Sequence, residues 1–278
     1  AWGFAFVVMK DAIERQTVNN FLFSRFAVAV IVMLAIRPQC LKYFNKDLLV
    51  RASAAGLFLG GGYILQTLGL EPGARVAIML PNVLQFPIAM IGALRAGCVV
   101  VNTNPLYTAR ELEHQLNDSG ASVLIVLENF AHIFQSLQGK TRVKHVVVTS
   151  LGEHLGFKGK IVDFVVRHIK KLVPNWEIPN HVSFAQALSA GKLQPAQSVT
   201  LTHDSIAFLQ YTGGTTGVSK GAVLLHRNIL ANLEQVDVWL APALNRRPIE
   251  QLVFLCALPL YHIFALTSCA MVGLREGG

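Results

Sequence analysis

From residue 75 onward the chain alternates short apolar runs with stretches whose apolar residues recur at helical spacing. No other feature of the sequence constrains its fold as tightly. Residues 75–80 form the first run, which Pro81 and Asn82 stop. Leu84, Ile88, Ile91 and Leu94 then recur at helical spacing up to Gly97, placed where a glycine closes a helix. Residues 98–102 read as a valine-rich buried strand. Thr108 and Glu111 have the spacing of a capping box: the threonine hydroxyl accepts from the Glu111 amide while the glutamate reaches back. The helix they open ends at Gly120, and residues 122–127 form a third strand. A helix around residues 130–137 and a strand at His145–Thr149 continue the series. Strands apolar throughout, separated by helices, predict an α/β fold with mostly parallel sheets flanked by helices.

Composition narrows the function classes. Of 278 residues 53% are apolar and only 14% charged, against about 25% charged in an ordinary domain, which excludes disorder. The net charge of +8 favours anionic partners. Cys40, Cys98, Cys256 and Cys269 lie far apart with no C-x-x-C pair, which excludes a zinc ribbon and fits a reducing compartment. The chain starts with Ala and ends Arg-Glu-Gly-Gly, so it is expected to be a piece of something longer. Residues 1–64 form an atypical apolar segment, with eleven uninterrupted apolar residues at 26–36. A spanning helix needs about 20, so a buried helix fits the run better, and a spanning segment near 21–36 is the alternative. Lys10 and Arg15 before the run and Arg37 after it assign no orientation.

Residues 158–171 carry Lys158, Lys160, Arg167, Lys170 and Lys171 against Asp163 alone, with Ile161, Val165, Ile169 and Leu172 three or four apart. Two readings stand open. Such a helix can lie on an anionic bilayer with its apolar face inserted. It can equally be an ordinary surface helix packed on the core with its charges in solvent. Nucleic acid is not expected as a partner, because no base-stacking aromatics interleave with the charges.

An apolar strand at residues 205–211 leads into Thr212, Gly213, Gly214, Thr215, Thr216, Gly217, Val218, Ser219 and Lys220. Glycines let backbone N–H groups approach phosphate oxygens, hydroxyls add donors, and the lysine supplies a point charge. This is not a Walker A loop, and residues 221–225 read as another strand, so a hairpin is expected to hold the phosphates.

The run from Leu209 through Tyr211 and Thr212 to Lys220 resembles the AMP-binding signature of adenylate-forming enzymes. Leu80-Pro81-Asn82, Asn104-Pro105-Leu106-Tyr107-Thr108, His226-Arg227-Asn228 and Pro259-Leu260-Tyr261-His262-Ile263-Phe264-Ala265 agree with it in order. Within that family the chain is most similar to bacterial long-chain fatty acid–CoA ligases. The resemblance implies that ATP activates a fatty acid to an acyl-adenylate, whose acyl group then passes to coenzyme A. It implies that Tyr211, Thr212, Gly213, Gly214, Thr215, Thr216, Gly217 and Lys220 hold the nucleotide phosphates. Mg²⁺ would offset their charge, with Thr216 as its nearest protein hydroxyl. Tyr261, His262 and Phe264 would form part of the acyl-binding wall. No general-base role is expected for His262, which has no visible carboxylate partner.

The family's Thr-Glu and Thr-Gly-Asp segments and its lysine-bearing C-terminal domain do not occur in these residues. Residues 65–278 are therefore expected to be a partial AMP-binding domain, inactive alone, whose parent works in the cytoplasm at the inner face of the membrane. A ligase for an aryl or bile acid, and a non-catalytic remnant, are the alternatives.

Overall fold

The computed structural model describes residues 68–191, 199–212, 218–244 and 253–276. The apolar run at 21–36 and Gly213, Gly214, Thr215, Thr216 and Gly217 lie outside the described residues. Among the described residues, no helix is long and apolar enough to cross a membrane.

The strands are β1 (Arg75–Met79), β2 (Val99–Asn102), β3 (Val123–Leu127), β4 (His145–Thr149), β5 (Val182–Ser183), β6 (Ile206–Thr212) and β7 (Lys220–Leu225). They form one sheet in the order β5-β4-β3-β1-β2-β6-β7. Every neighbouring pair is parallel except β6 and β7, which run antiparallel. The α/β reading of the sequence therefore holds.

The helices are α1 (Gln85–Arg95), α2 (Ala109–Ser119), α3 (Glu128–Gln135), α4 (Gly156–Phe164), α5 (Phe184–Gly191), α6 (His226–Leu244), α7 (Ile263–Ala265) and α8 (Val272–Arg275). Single π-helical stretches, Val165–Ile169 and Leu266–Met271, continue α4 and link α7 to α8. Side chains alternate across a strand, so each central strand feeds two cores. Ala77 and Met79 of β1 pack with Leu112 and Leu116 of α2 and Ala131 and Phe134 of α3. The alternate residues Val76 and Ile78 turn to the opposite face and are buried as completely.

Local chemistry sets the boundaries. The Thr108–Glu111 capping box is formed in full, and Gly120 closes α2 at φ 63°. Gly97 turns the chain at φ 73°, where a Cβ would lie 2.6 Å from Val199 Cγ1. In α1 the buried side is only partly the expected one. Ile88 is buried and Ile91 and Leu94 are half-buried, but Leu84 precedes the helix and is exposed, while Gln85, Phe86, Ala89, Met90 and Ala93 are buried as well. The helix is apolar nearly all round, so its periodicity alone selects no face.

The basic stretch departs further from an ordinary surface helix. Ile161, Ile169 and Leu172 are exposed, as is Phe164, while Val162, Val165 and Val166 are half-buried, so the reading in which the apolar residues pack on the core holds only for the valines. Polar contacts from Asp163 and Arg167 fasten the stretch to the body.

Candidate active site at the carboxyl edge of the sheet

In a parallel sheet all carboxyl ends lie along one edge, where open α/β folds place their ligands. Here that edge gathers Asn82 after β1, Asn102 at the end of β2 and Thr212 at the end of β6. Because β7 returns antiparallel, its first residue sits at the same edge. Tyr211 pairs with Gly221 and Thr212 with Lys220 on the last two rungs. Thr212 and Lys220 are both exposed there.

The hairpin is braced from beneath. Tyr211 is buried and its hydroxyl donates to Asp118 Oδ2 of α2 at 2.5 Å. Burial first, and then the Asp118 carboxylate, push the Tyr211 hydroxyl above the usual tyrosine range. Its ring passes so close to the partner strand that a Cβ on Gly221 would lie 2.9 Å from Tyr211 Cε2. Tyr211 thus fixes the base of the loop, with its hydroxyl engaged by Asp118. Ser219 Oγ donates to the Thr212 carbonyl at 2.9 Å, and His114 Nε2 lies 3.0 Å from the Ser219 carbonyl. Tyr107, Arg110, His114 and Ser219 line a cavity of about 640 Å³ beside this end of the hairpin.

A second wall comes from residues 253–265, held by amide side chains. Asn82 Nδ2 donates to the carbonyls of Leu258 at 2.9 Å and Cys256 at 3.1 Å. Its Oδ1 accepts from the Leu260 amide at 2.8 Å. One asparagine thus satisfies three backbone groups of a segment more than 170 residues away. A buried chain of amides does the same from the sheet. Gln115 Nε2 donates to the Asn102 carbonyl, Asn102 Nδ2 to Gln210 Oε1, and Gln210 Nε2 to the Tyr261 carbonyl, each at 2.9 Å. Gln115 Oε1 and Asn102 Oδ1 are left as buried acceptors without a partner.

The extended residues 254–256 also lie along the last helical turns. A Cβ on Gly273 would touch Phe254 at 3.2 Å, and the Cys256 thiol donates to the Leu258 carbonyl at 3.6 Å. Burial pushes the Cys256 thiol upward, and the thiols of Cys256 and Cys269 are free.

These two walls enclose a cavity of about 440 Å³. Thr212 lines one side; Pro259, His262, Ile263 and Phe264 line the other. Tyr261 is held through its carbonyl, and its ring lies 4.6 Å from the His262 ring. Among the described residues no group of three His, Cys, Asp or Glu could hold a metal ion, and Thr216 lies outside them.

Residues 62–278 match the AMP-binding enzyme family. The chain belongs to that family. Over 217 residues this AMP-binding chain is 54% identical to a long-chain-fatty-acid–CoA ligase of Escherichia coli O6:H1, covering 78% of the chain and 38% of that protein. It is 47% identical over 216 residues to the long-chain-fatty-acid–CoA ligase of Haemophilus influenzae, covering 77% of the chain and 38% of the relative. The crystal structure of a long-chain-fatty-acid-CoA ligase from Archaeoglobus fulgidus superposes with a TM-score of 0.60 at 23% identity, over 81% of this chain and 38% of that one. The AMP-binding chain therefore spans about 38% of the length of the curated relatives it matches.

Sequence reading brought Thr212, Lys220, His262 and Phe264 forward, and the structure sets them at one edge. It named Asn82 only as part of a motif and passed over the relay from Gln115 through Asn102 to Gln210. The signal was available. A lone amide in the otherwise apolar strands VVVN and IAFLQYT must find a partner when buried.

Proposed function

We propose that this chain supplies the phosphate-binding hairpin and part of the acyl wall of a long-chain fatty acid–CoA ligase. In the first half-reaction a carboxylate oxygen attacks the α-phosphorus of ATP and pyrophosphate leaves. In the second the thiol of coenzyme A attacks the acyl carbon and AMP leaves. A carboxylate is a poor acyl donor, and the adenylate makes it a good one. The protein's part is positioning and charge compensation around the phosphates.

The observation that carries this reading is the shared cavity. Thr212, on the rung it forms with Lys220, and the apolar Pro259–Phe264 wall border the same space. A polyphosphate held at the hairpin would lie beside an apolar surface suited to an alkyl chain. The residues proposed for the phosphates are Tyr211, Thr212, Gly213, Gly214, Thr215, Thr216, Gly217 and Lys220, with Tyr211 acting as the brace. The Thr216 hydroxyl would help hold a Mg²⁺ bound with ATP, which would offset the charge of the phosphates. The acyl chain meets His262 and Phe264, while Tyr261 sets their position. An insoluble substrate places the work at the inner face of a membrane, with the enzyme peripheral to it.

The test completes the chain with the C-terminal part of a long-chain ligase relative and follows carboxylate-dependent exchange of pyrophosphate into ATP. Long-chain fatty acids are expected to drive exchange. Lys220→Ala is expected to cut it by about tenfold or more, the scale of one charge-assisted phosphate contact. Equal exchange with Lys220→Ala, or exchange driven by aryl acids and not by fatty acids, would sink the reading.

A further inference from the structure

The helix α4 and the π-helical stretch after it are mounted with their polar side inward. Gly159, Asp163 and Arg167, spaced four apart, form the line that meets the body. Gly159 lies backbone to backbone against Gly152: a Cβ on Gly159 would sit 1.8 Å from the Gly152 carbonyl oxygen. Asp163 accepts from Ser150 Oγ at 2.7 Å and from the Gly152 amide at 2.8 Å. Arg167 forms a bidentate pair with Glu128, with hydrogen bonds of 3.0, 3.0 and 2.7 Å. Asn129 Nδ2 holds the Leu172 carbonyl at 2.9 Å.

The opposite side is apolar and open. Phe157 is 78% exposed, Ile161 53%, Phe164 57%, Ile169 62% and Leu172 58%. Lys158, Lys160, Lys170 and Lys171 flank this stripe, all exposed and none in an ion pair among the described residues. An amphipathic helix on a globular core turns its apolar side in. Here glycine, carboxylate and guanidinium, with the half-buried Val162 and Val166 beside them, fill that position and anchor the helix, while Phe157, Ile161, Phe164 and Ile169 look outward.

We infer that this outward face is the docking surface for an anionic lipid bilayer. Phe157, Ile161, Phe164 and Ile169 enter the acyl boundary and the lysines settle on headgroup phosphates. Charge selects lipid over a second copy of the chain, because two such faces laid together would set lysine against lysine. A neighbouring cavity gives the same direction. Leu155, at the start of the exposed stripe, also lines a space of about 450 Å³ whose other wall holds Asn82, Cys256 and Leu260. A bilayer seated on α4 therefore borders the apolar cavity next to the candidate acyl wall, at the boundary where a long-chain carboxylate dissolves. The inference rests on the membrane part of the proposed function, and its test uses no catalysis, so the two fail separately.

The experiment sediments the 278-residue chain with vesicles of phosphatidylcholine, alone or mixed with phosphatidylglycerol. Binding is expected only to the mixed vesicles. The double variant Phe157→Ser, Phe164→Ser is expected to weaken it by roughly tenfold or more. Lys158→Glu with Lys160→Glu should weaken it by roughly fivefold per lysine and leave what binding remains less sensitive to salt. Thermal unfolding of each variant checks that it folds, and these exposed positions should leave it unchanged. Lack of sedimentation by the folded wild type would overturn the inference. So would equal binding by the variants, or a self-association that the same serines abolish without any lipid binding.

Discussion

At the scale of single residues, the most consequential side chain outside the hairpin is Asn82. It sits just after β1, yet its amide holds three backbone groups of the segment that carries His262. The side chain is exposed, so Asn82→Ala should cost only about 1 kcal/mol of global stability. Its local effect should be larger. The Leu260 amide loses its acceptor, and its hydrogen exchange should accelerate while the capped amide of Glu111 keeps its rate. Equal acceleration at both would show a general loosening and contradict the clamp. Spacing in the sequence could not reveal this contact, because it joins positions that only the assembled sheet edge brings together.

At the scale of elements, α2 shows how much its start depends on one box. Hydrogen bonds from the Thr108 backbone and then its side chain hold the Glu111 carboxyl below the usual glutamate range. The folded state therefore binds this proton more weakly than the unfolded chain does. The contribution is present above about pH 4 and is lost as the pH falls below that value. Thr108→Ala should cost about 1 kcal/mol at neutral pH and flatten this part of the acid denaturation curve. Circular dichroism against pH checks both. This box was legible in the sequence because its partners stand three residues apart. The orientation of α4 was less so: a period fixes that an apolar stripe exists, and the Gly159, Asp163, Arg167 line decides which way it points.

At the scale of the whole molecule, Tyr211 ties the sheet to the helical layer through Asp118. Its folded-state proton is held more tightly than the ordinary value near 10, so stability is complete below that pH and declines as pH rises above it. Tyr211→Phe should lower stability by about 1–2 kcal/mol near neutrality and remove its share of the alkaline decline, read from urea unfolding at several pH values. The parallel strands and the hairpin were legible because each is written in contiguous residues, whereas the walls of the cavity are assembled by long-range amide contacts. The reversal at β7 carries a further consequence. It sends the chain away from the carboxyl edge of the sheet, and the His226 amide meets the Ser205 carbonyl at the opposite rim. The nineteen residues of α6, about 28 Å long, then begin the journey back. Deleting one turn would shorten that helix by about 5 Å and draw Glu234 and Asp237 out of register with Arg275 of α8, breaking the ion pairs that fasten the returning helix.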